Sequence, residues 1–126
     1  MPNDVQPGAR RRVIIATGEP AIARILSHKL GREGHAVTTV ATARSLDDAL
    51  ADGGADVALV DILLAGDAAD GLASRVTSGW LAIMDGRRPL LAQRAMRAGA
   101  AGLVRTPFKP TEVASQVATL LTLVAR

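Results

Sequence analysis

The chain has 126 residues, a formal net charge of +3 and no cysteine, which excludes a disulfide framework and thiolate chemistry. Apolar residues make up 48% of it and aromatic residues 2%, which predicts one domain with a core of small aliphatic side chains. It contains no run of about 18 apolar residues and no apolar signal-type run near its N-terminus. We therefore expect a cytoplasmic protein without membrane insertion.

Short apolar runs alternate with helical patterns over residues 12–126, after a polar segment at residues 1–11 that we expect to be flexible. The runs predict strands at residues 13–16, 37–40, 57–60, 80–84 and 103–104. The predicted helices begin at Pro20, at Ser45 as an N-cap (to about Ala51), near residue 72 after a polar loop (to about Val76), near Pro89 (to about Ala98) and near Thr111.

This alternation predicts an α/β domain, in which a five-stranded parallel sheet is covered by five helices on both faces. In such sheets the loops at the carboxyl ends of the strands form the functional site. The polar residues in those loops are Thr17, Gly18, Glu19, Asp61, Asp85 and Thr106.

Four stretches together resemble the CheY-like receiver domains of bacterial response regulators, over roughly residues 12–124. They are A-T-G-E-P, where receivers usually have two acids; G-R-E-G-H-A-V-T-T-V; A-L-V-D-I-L-L, with Asp61 at the phosphoacceptor position; and A-G-A-A-G-L-V-R-T-P-F-K-P, similar to a stretch in which Lys precedes Pro-Phe. The resemblance implies a flavodoxin-like, doubly wound sheet in strand order 2-1-3-4-5 and a cis bond between Thr106 and Pro107.

Receivers accept a phosphoryl group from a histidine kinase on the phosphoacceptor Asp, with Mg²⁺ bound beside it. Most positions that serve this transfer are replaced here. The replacements are Thr17 and Gly18 for the acid pair, Thr106 for the phosphoryl-contacting Lys, Met84 or Asp85 for the hydroxyl residue after the fourth strand, and Leu103 for the switch aromatic. Because the transfer depends on charge neutralisation, we expect Mg²⁺ binding to be weak or absent and no other cofactor to be bound.

Two interpretations of Asp61 stay open. With Glu19 and Asp85 it could rebuild a cation site of altered geometry, since all three follow strands of the same sheet. Alternatively, Asp61 accepts backbone hydrogen bonds from the first loop or from the residues that follow it, while Glu19 favours the helix dipole and Asp85 is solvated.

Charge is distributed unevenly along the chain. Residues 45–74 contain seven acids and no base, whereas residues 86–111 contain six bases and no acid. The resemblance implies a contact surface on the fourth helix, fifth strand and fifth helix, where the predicted interaction face comprises Arg87, Arg88, Leu91, Arg94, Arg97 and Arg105. An acidic protein surface would suit this face, and reversing Arg94 and Arg97 to Glu is expected to weaken its binding.

These features favour a pseudo-receiver, a stand-alone protein-interaction module and not an enzyme, whose partner is a signalling protein such as a histidine kinase. One alternative is a receiver that accepts phosphate on Asp61 through an unorthodox site with Asp85 and Glu19. Another is a binder of a cyclic dinucleotide or nucleic acid through the basic residues from Arg87 to Arg97, which the absence of aromatic side chains there disfavours. The lone histidines, His28 and His35, predict no metal site, and a monomer and a homodimer both stay open.

Overall fold

The computed structural model describes residues 10–124, which fold into a parallel sheet with helices on both faces. The strands are β1 (Arg12–Ala16), β2 (Ala36–Val40), β3 (Ala55–Asp61), β4 (Val76–Asp85) and β5 (Gly102–Thr106). The helices are α1 (Pro20–Arg32), α2 (Ala43–Ala51), α3 (Ile62–Ala65), α4 (Pro89–Arg97) and α5 (Pro110–Val124), and a 3₁₀ segment (Gly66–Ser74) follows α3. The predicted flexible segment at residues 1–11 falls mostly outside the described residues.

All four strand pairs are parallel, and the strand order is β2-β1-β3-β4-β5. This confirms the predicted doubly wound architecture and its order 2-1-3-4-5. The order brings the carboxyl ends of β1, β3, β4 and β5 to one edge of the sheet. No helix within residues 10–124 is long and apolar enough to cross a membrane.

The core consists of two apolar layers, one on each face of the sheet. Successive side chains of a strand point to opposite faces, so Ile14 and Ala16 join one layer while Val13 and Ile15 join the other. Helices α2, α3 and α4 cover the first layer, whereas α1 and α5 cover the second. The short apolar strands are therefore buried on both faces, as their composition predicts.

Trp80 is the only tryptophan of the chain and the largest side chain of the first layer, with no exposed surface. The layer around it is rich in alanine, including Ala58, Ala69, Ala95 and Ala98. Because alanine side chains are small, the Trp80 indole fills much of the volume of this layer. Its Nε1 donor has no hydrogen-bond partner among the described residues.

Helix α2 begins earlier than predicted. Its N-cap is Thr42, whose hydroxyl accepts the N–H of Ser45 at 3.0 Å, while the Ser45 hydroxyl accepts the N–H of Thr42 at 3.0 Å. Ser45 is therefore the third residue of the helix and the reciprocal half of a capping box, and its assignment as the N-cap was wrong.

The segment between β3 and β4 also differs from the prediction. Instead of a polar loop leading to a helix at residues 72–76, α3 begins immediately after Asp61, and the 3₁₀ segment continues to Ser74. Strand β4 already begins at Val76, with a register shift against β3 between Ala55 and Val57. The sequence between β3 and β4 has no clear helical or strand periodicity, which explains why its helix was misplaced. The start of α3 is set by the N-cap at Asp61.

Candidate functional site

A cleft of about 120 Å³ lies at the carboxyl edge of the sheet. Five of the eight predicted pocket residues line it, whereas Thr17, Gly18 and Leu103 do not. Its polar lining residues are Glu19, Asp61, Asp85 and Thr106. Its apolar lining residues are Ile22, Ile62, Leu63, Ile83, Met84 and Leu91. None of these ten described lining residues is basic, so the cleft combines three carboxylates with an apolar wall.

Asp61 ends β3 and is also the N-cap of α3. Its Oδ1 accepts the N–H of Leu63 at 2.9 Å and the N–H of Leu64 at 3.4 Å. These two donors would otherwise lack partners in the first turn of a helix. Among the alternatives left open by the sequence, the structure thus gives Asp61 a backbone-capping contact with the residues that follow it.

We expect Asp61→Ala to lower the free energy of unfolding by about 1 kcal/mol, because the cap is lost. Asp61→Asn keeps an acceptor oxygen of the same geometry and should change it by less than about 0.5 kcal/mol. Urea unfolding followed by Trp80 fluorescence measures both. Equal destabilisation by the two variants would mean that the charge, and not the cap, is what stabilises the fold.

The loop after β1 carries the replaced acid pair. Thr17 is 3% exposed, and its hydroxyl accepts the N–H of Glu19 at 3.1 Å. Gly18 contributes no side chain. Glu19 is the exposed N-cap residue of α1, although its carboxylate makes no capping hydrogen bond. The loop therefore offers one exposed carboxylate and one hydroxyl that is already hydrogen-bonded.

Met84 and Asp85 lie in different surroundings at the end of β4. Met84 is 3% exposed and belongs to the first core layer with Trp80, whereas Asp85 is the last residue of the strand. The Asp85 carboxylate lies 3.6 Å from the Arg88 guanidinium, and its side chain is 74% exposed. An acid therefore occupies the strand-end position, and its nearest charged contact is basic.

Strand β5 carries two more of the predicted pocket residues, Leu103 near its start and Thr106 at its end. Thr106 is half-buried, pairs with Asp85 across the sheet, and its carbonyl accepts the N–H of Gly86 at 3.0 Å. The Thr106–Pro107 bond is cis, as the resemblance implied. Leu103 is partly buried against the first core layer, and its carbonyl accepts a hydrogen bond from Gln116 of α5 at 3.1 Å. A hydroxyl side chain and an aliphatic side chain therefore occupy the two positions at which the resemblance implies a Lys and an aromatic residue.

The residues of the cleft do not fit Mg²⁺, which requires near-octahedral oxygen ligands. One oxygen of Asp61 is committed to α3, and the Thr17 hydroxyl is committed to the backbone of Glu19. Within residues 10–124, no three His, Asp or Glu side chains lie close enough together to hold a metal ion. Glu19, Asp61 and Asp85 line one cleft without converging on one point.

The histidines lie apart from the cleft. His28 is exposed on α1, and His35 lies in the turn before β2. Burial lowers the pKa of His35 below its ordinary value, which favours the neutral ring at neutral pH.

The predicted interaction face is only partly available to a partner. The Arg94 guanidinium binds the Asp70 carboxylate at 2.9 and 3.3 Å and the Gly66 carbonyl at 3.3 Å, which attaches α4 to the 3₁₀ segment. Arg88 contacts Asp85, and Leu91 is partly buried in the wall of the cleft. Arg87, Arg97 and Arg105 are exposed.

The sequence did not identify the apolar wall as part of the site. No site role was predicted for Ile22, Ile83 or Leu63, and Leu63 is 63% exposed in the lining of the cleft. One signal in the sequence could have indicated an apolar site residue, namely the two leucines that follow Asp61-Ile62. If Asp61 caps a helix, these leucines lie in its first turn, part of which is exposed.

No protein-family model matches the chain, and no curated protein does. Solved structures match it closely. The receiver domain of NtrX from Brucella abortus has a TM-score of 0.79 at 22% identity and covers 87% of this chain and 98% of that one. A two-component response regulator from Clostridium difficile has a TM-score of 0.82 at 14% identity, covering 90% and 97%.

The chemotaxis protein CheY4 of Vibrio cholerae is also similar, with a TM-score of 0.79, 20% identity and coverage of 89% of this chain and 99% of that one. These proteins share the parallel sheet, its strand order and almost the full length of this chain. The chain has the fold of a response-regulator receiver domain.

Proposed function

We propose that this chain is a pseudo-receiver: a signalling module, formed by residues 12–126, that binds another protein of a two-component pathway without Mg²⁺-dependent phosphorylation. It is an adaptor and not an enzyme. A histidine kinase or another component of the pathway is the partner class that the fold suggests. A cytoplasmic location is part of the same proposal.

The observation that carries this proposal is the state of Asp61. Its carboxylate caps α3 through Leu63 and Leu64 and has no basic neighbour among the described residues of the cleft. An anionic phosphodonor would approach three carboxylates without a metal ion or a lysine to offset their charge. Removing one such stabilising group costs enzymes about 10²–10³ in rate, and two are replaced here.

The surface formed by α4, β5 and the loop before α5 supports the adaptor role. It carries two exposed apolar side chains, Leu90 at 79% and Met96 at 49%, beside the exposed Arg97 and Arg105. Methionine and arginine are enriched in protein interfaces relative to the rest of the surface. An acidic partner surface with an apolar centre would complement it.

Charge reversal tests this surface. Because Arg94→Glu would also break the ion pair with Asp70, Arg97→Glu with Arg105→Glu is the cleaner change. We expect it to weaken binding to the purified physiological partner by about tenfold or more and to reduce the salt dependence of binding. Affinity capture from the host identifies that partner, and calorimetry measures its dissociation constant.

The matched control is Arg24→Glu with Arg32→Glu, which makes the same change of charge at exposed positions of α1. It should leave the dissociation constant unchanged. The opposite pattern, loss of binding in the α1 variant only, would assign the contact surface to α1 and contradict the proposed one.

A second candidate is an unorthodox phospho-accepting receiver. The observation in its favour is that Glu19, Asp61 and Asp85 line the same cleft, so a modest side-chain rearrangement could direct all three at one cation. Mg²⁺-dependent formation of an acyl phosphate on Asp61 would select this candidate over the adaptor.

A further inference from the structure

The cleft at the carboxyl edge has a composition suited to a ligand other than a metal ion. Six of its ten lining residues are apolar, three are acids and one is a threonine. A hydrated divalent ion gains nothing from the apolar wall, whose accessible part is formed by Ile22, Leu63 and Leu91. An alkyl chain that ends in a cation would bury its stem against this wall and place its charge among the carboxylates.

The size of the cleft restricts the ligand further. Sites for drug-sized ligands and cofactors usually span roughly 300–1,000 Å³. This cleft, at about 120 Å³, has room for one extended side chain and is too small for a nucleotide. Leu63, at 63% exposure, forms part of its wall and continues the apolar surface outward, so a protein segment that reaches the cleft also finds an apolar contact outside it.

The carboxylates of the cleft are available to such a ligand. Only Oδ1 of Asp61 is engaged by α3, so the second oxygen has no hydrogen-bond partner among residues 10–124. Glu19 makes no side-chain cap and is exposed. Asp85 contacts Arg88 at 3.6 Å, but both side chains are at least half exposed, so this pair is weak and exchangeable.

We propose that the cleft binds a lysine or arginine side chain of the protein partner, seated with its stem on the apolar wall and its charge against Asp61, Glu19 and Asp85. The proposal rests on the proposed adaptor function, which it deepens by naming a feature of the partner. A partner with one cation flanked by acids would engage both the cleft and the exposed arginines of α4 and β5. The position that binds a metal ion in the resembling family would then bind a side chain here.

A short peptide tests the cleft without knowledge of the partner. The probe is a capped Leu-Lys-Leu peptide, titrated into the ¹⁵N-labelled protein while the amide signals of Leu63, Leu64 and Met84 are followed. Its matched control carries norleucine in place of lysine, which keeps the stem and removes the charge. We expect saturable shifts at these amides and about tenfold tighter binding of the lysine peptide, because a charge-assisted contact is lost in the control.

Variants separate the two parts of the site. Glu19→Gln with Asp85→Asn should reduce the preference for lysine over norleucine to less than about threefold, because two of the three charges are removed. Neither change touches the Asp61 cap. Equal affinity for both peptides in the wild-type protein, shifts confined to other surfaces, or no saturable shifts would each overturn the proposal.

A parallel Mg²⁺ titration distinguishes this proposal from the function on which it rests. If the lysine peptide fails and Mg²⁺ also produces no shifts at the cleft, the side-chain site is wrong while the adaptor function stands. If Mg²⁺ binds at the cleft more tightly than the peptide and permits phosphorylation of Asp61, both are wrong. Binding of the peptide that excess Mg²⁺ does not displace supports both.

Discussion

Trp80→Ala is expected to lower the free energy of unfolding by about 3–5 kcal/mol, which is a large part of the stability of a small domain. The indole is fully buried in a layer in which nine of the eighteen buried residues are alanine, so the cavity it leaves is not readily filled. Because the variant removes the only tryptophan, circular dichroism during urea unfolding is the suitable measurement.

Two controls make this result specific. Trp80→Phe should cost much less than Trp80→Ala, because it keeps an aromatic ring and removes an Nε1 donor that has no partner within the described chain. Leu90→Ala, at a position 79% exposed, should change stability by less than about 0.5 kcal/mol. A small effect of Trp80→Ala, comparable with that of Leu90→Ala, would contradict the packing described for the first core layer.

Gly18→Asp combined with Thr106→Lys should tighten Mg²⁺ binding by about tenfold or more, the equivalent of about 1.4 kcal/mol. The structure leaves room for the first change: a Cβ built at Gly18 meets only the Ala41 carbonyl oxygen, at 3.9 Å, and the residue does not lie in the left-handed region. A second carboxylate beside Asp61 then supplies the charge that Mg²⁺ requires.

Gly18→Asn is the matched control for this gain, because it adds the same side-chain volume without a charge. Calorimetric titration with MgCl₂ should detect the gain in Gly18→Asp and in the double variant, and none in Gly18→Asn. We also expect metal affinity to return before any change in partner binding, because Leu103 is aliphatic where the resemblance implies an aromatic residue that couples the site to the contact surface. An unchanged Mg²⁺ affinity in Gly18→Asp would show that charge at this position is not what the wild-type site lacks.

The fold was predictable from sequence because its signals are local and repeated. Apolar runs such as residues 57–60 identify strands buried on both faces, and Pro20 and Pro89 mark helix starts that the structure confirms. Boundaries were less predictable. The capping box of α2 depends on Thr42 and Ser45 together, and the start of α3 depends on a side-chain contact of Asp61, neither of which is visible in apolar periodicity.

The polar residues of the cleft could be predicted from the sequence, whereas the contacts between side chains could not. The sequence predicted that Glu19, Asp61 and Asp85 lie at the same edge of the sheet, because the carboxyl ends of parallel strands meet there. It gave no indication that Arg94 would bind Asp70, since the two lie on different elements and 24 residues apart. For the same reason the apolar wall of the cleft could not be predicted, because its residues come from α1, α3, α4 and β4.

The measurement that tests the central claim most directly is intact-mass spectrometry after incubation with acetyl phosphate and Mg²⁺. The claim is that Asp61 is a capping residue in a receiver fold and is not phosphorylated at cellular Mg²⁺ concentrations. Wild-type protein and Asp61→Asn are compared, with a phosphorylatable receiver domain in the same reaction as the positive control. We predict no phosphorylated species of the wild-type protein while the positive control is modified. Stoichiometric acyl phosphate on the wild-type protein, absent from Asp61→Asn, would contradict the account.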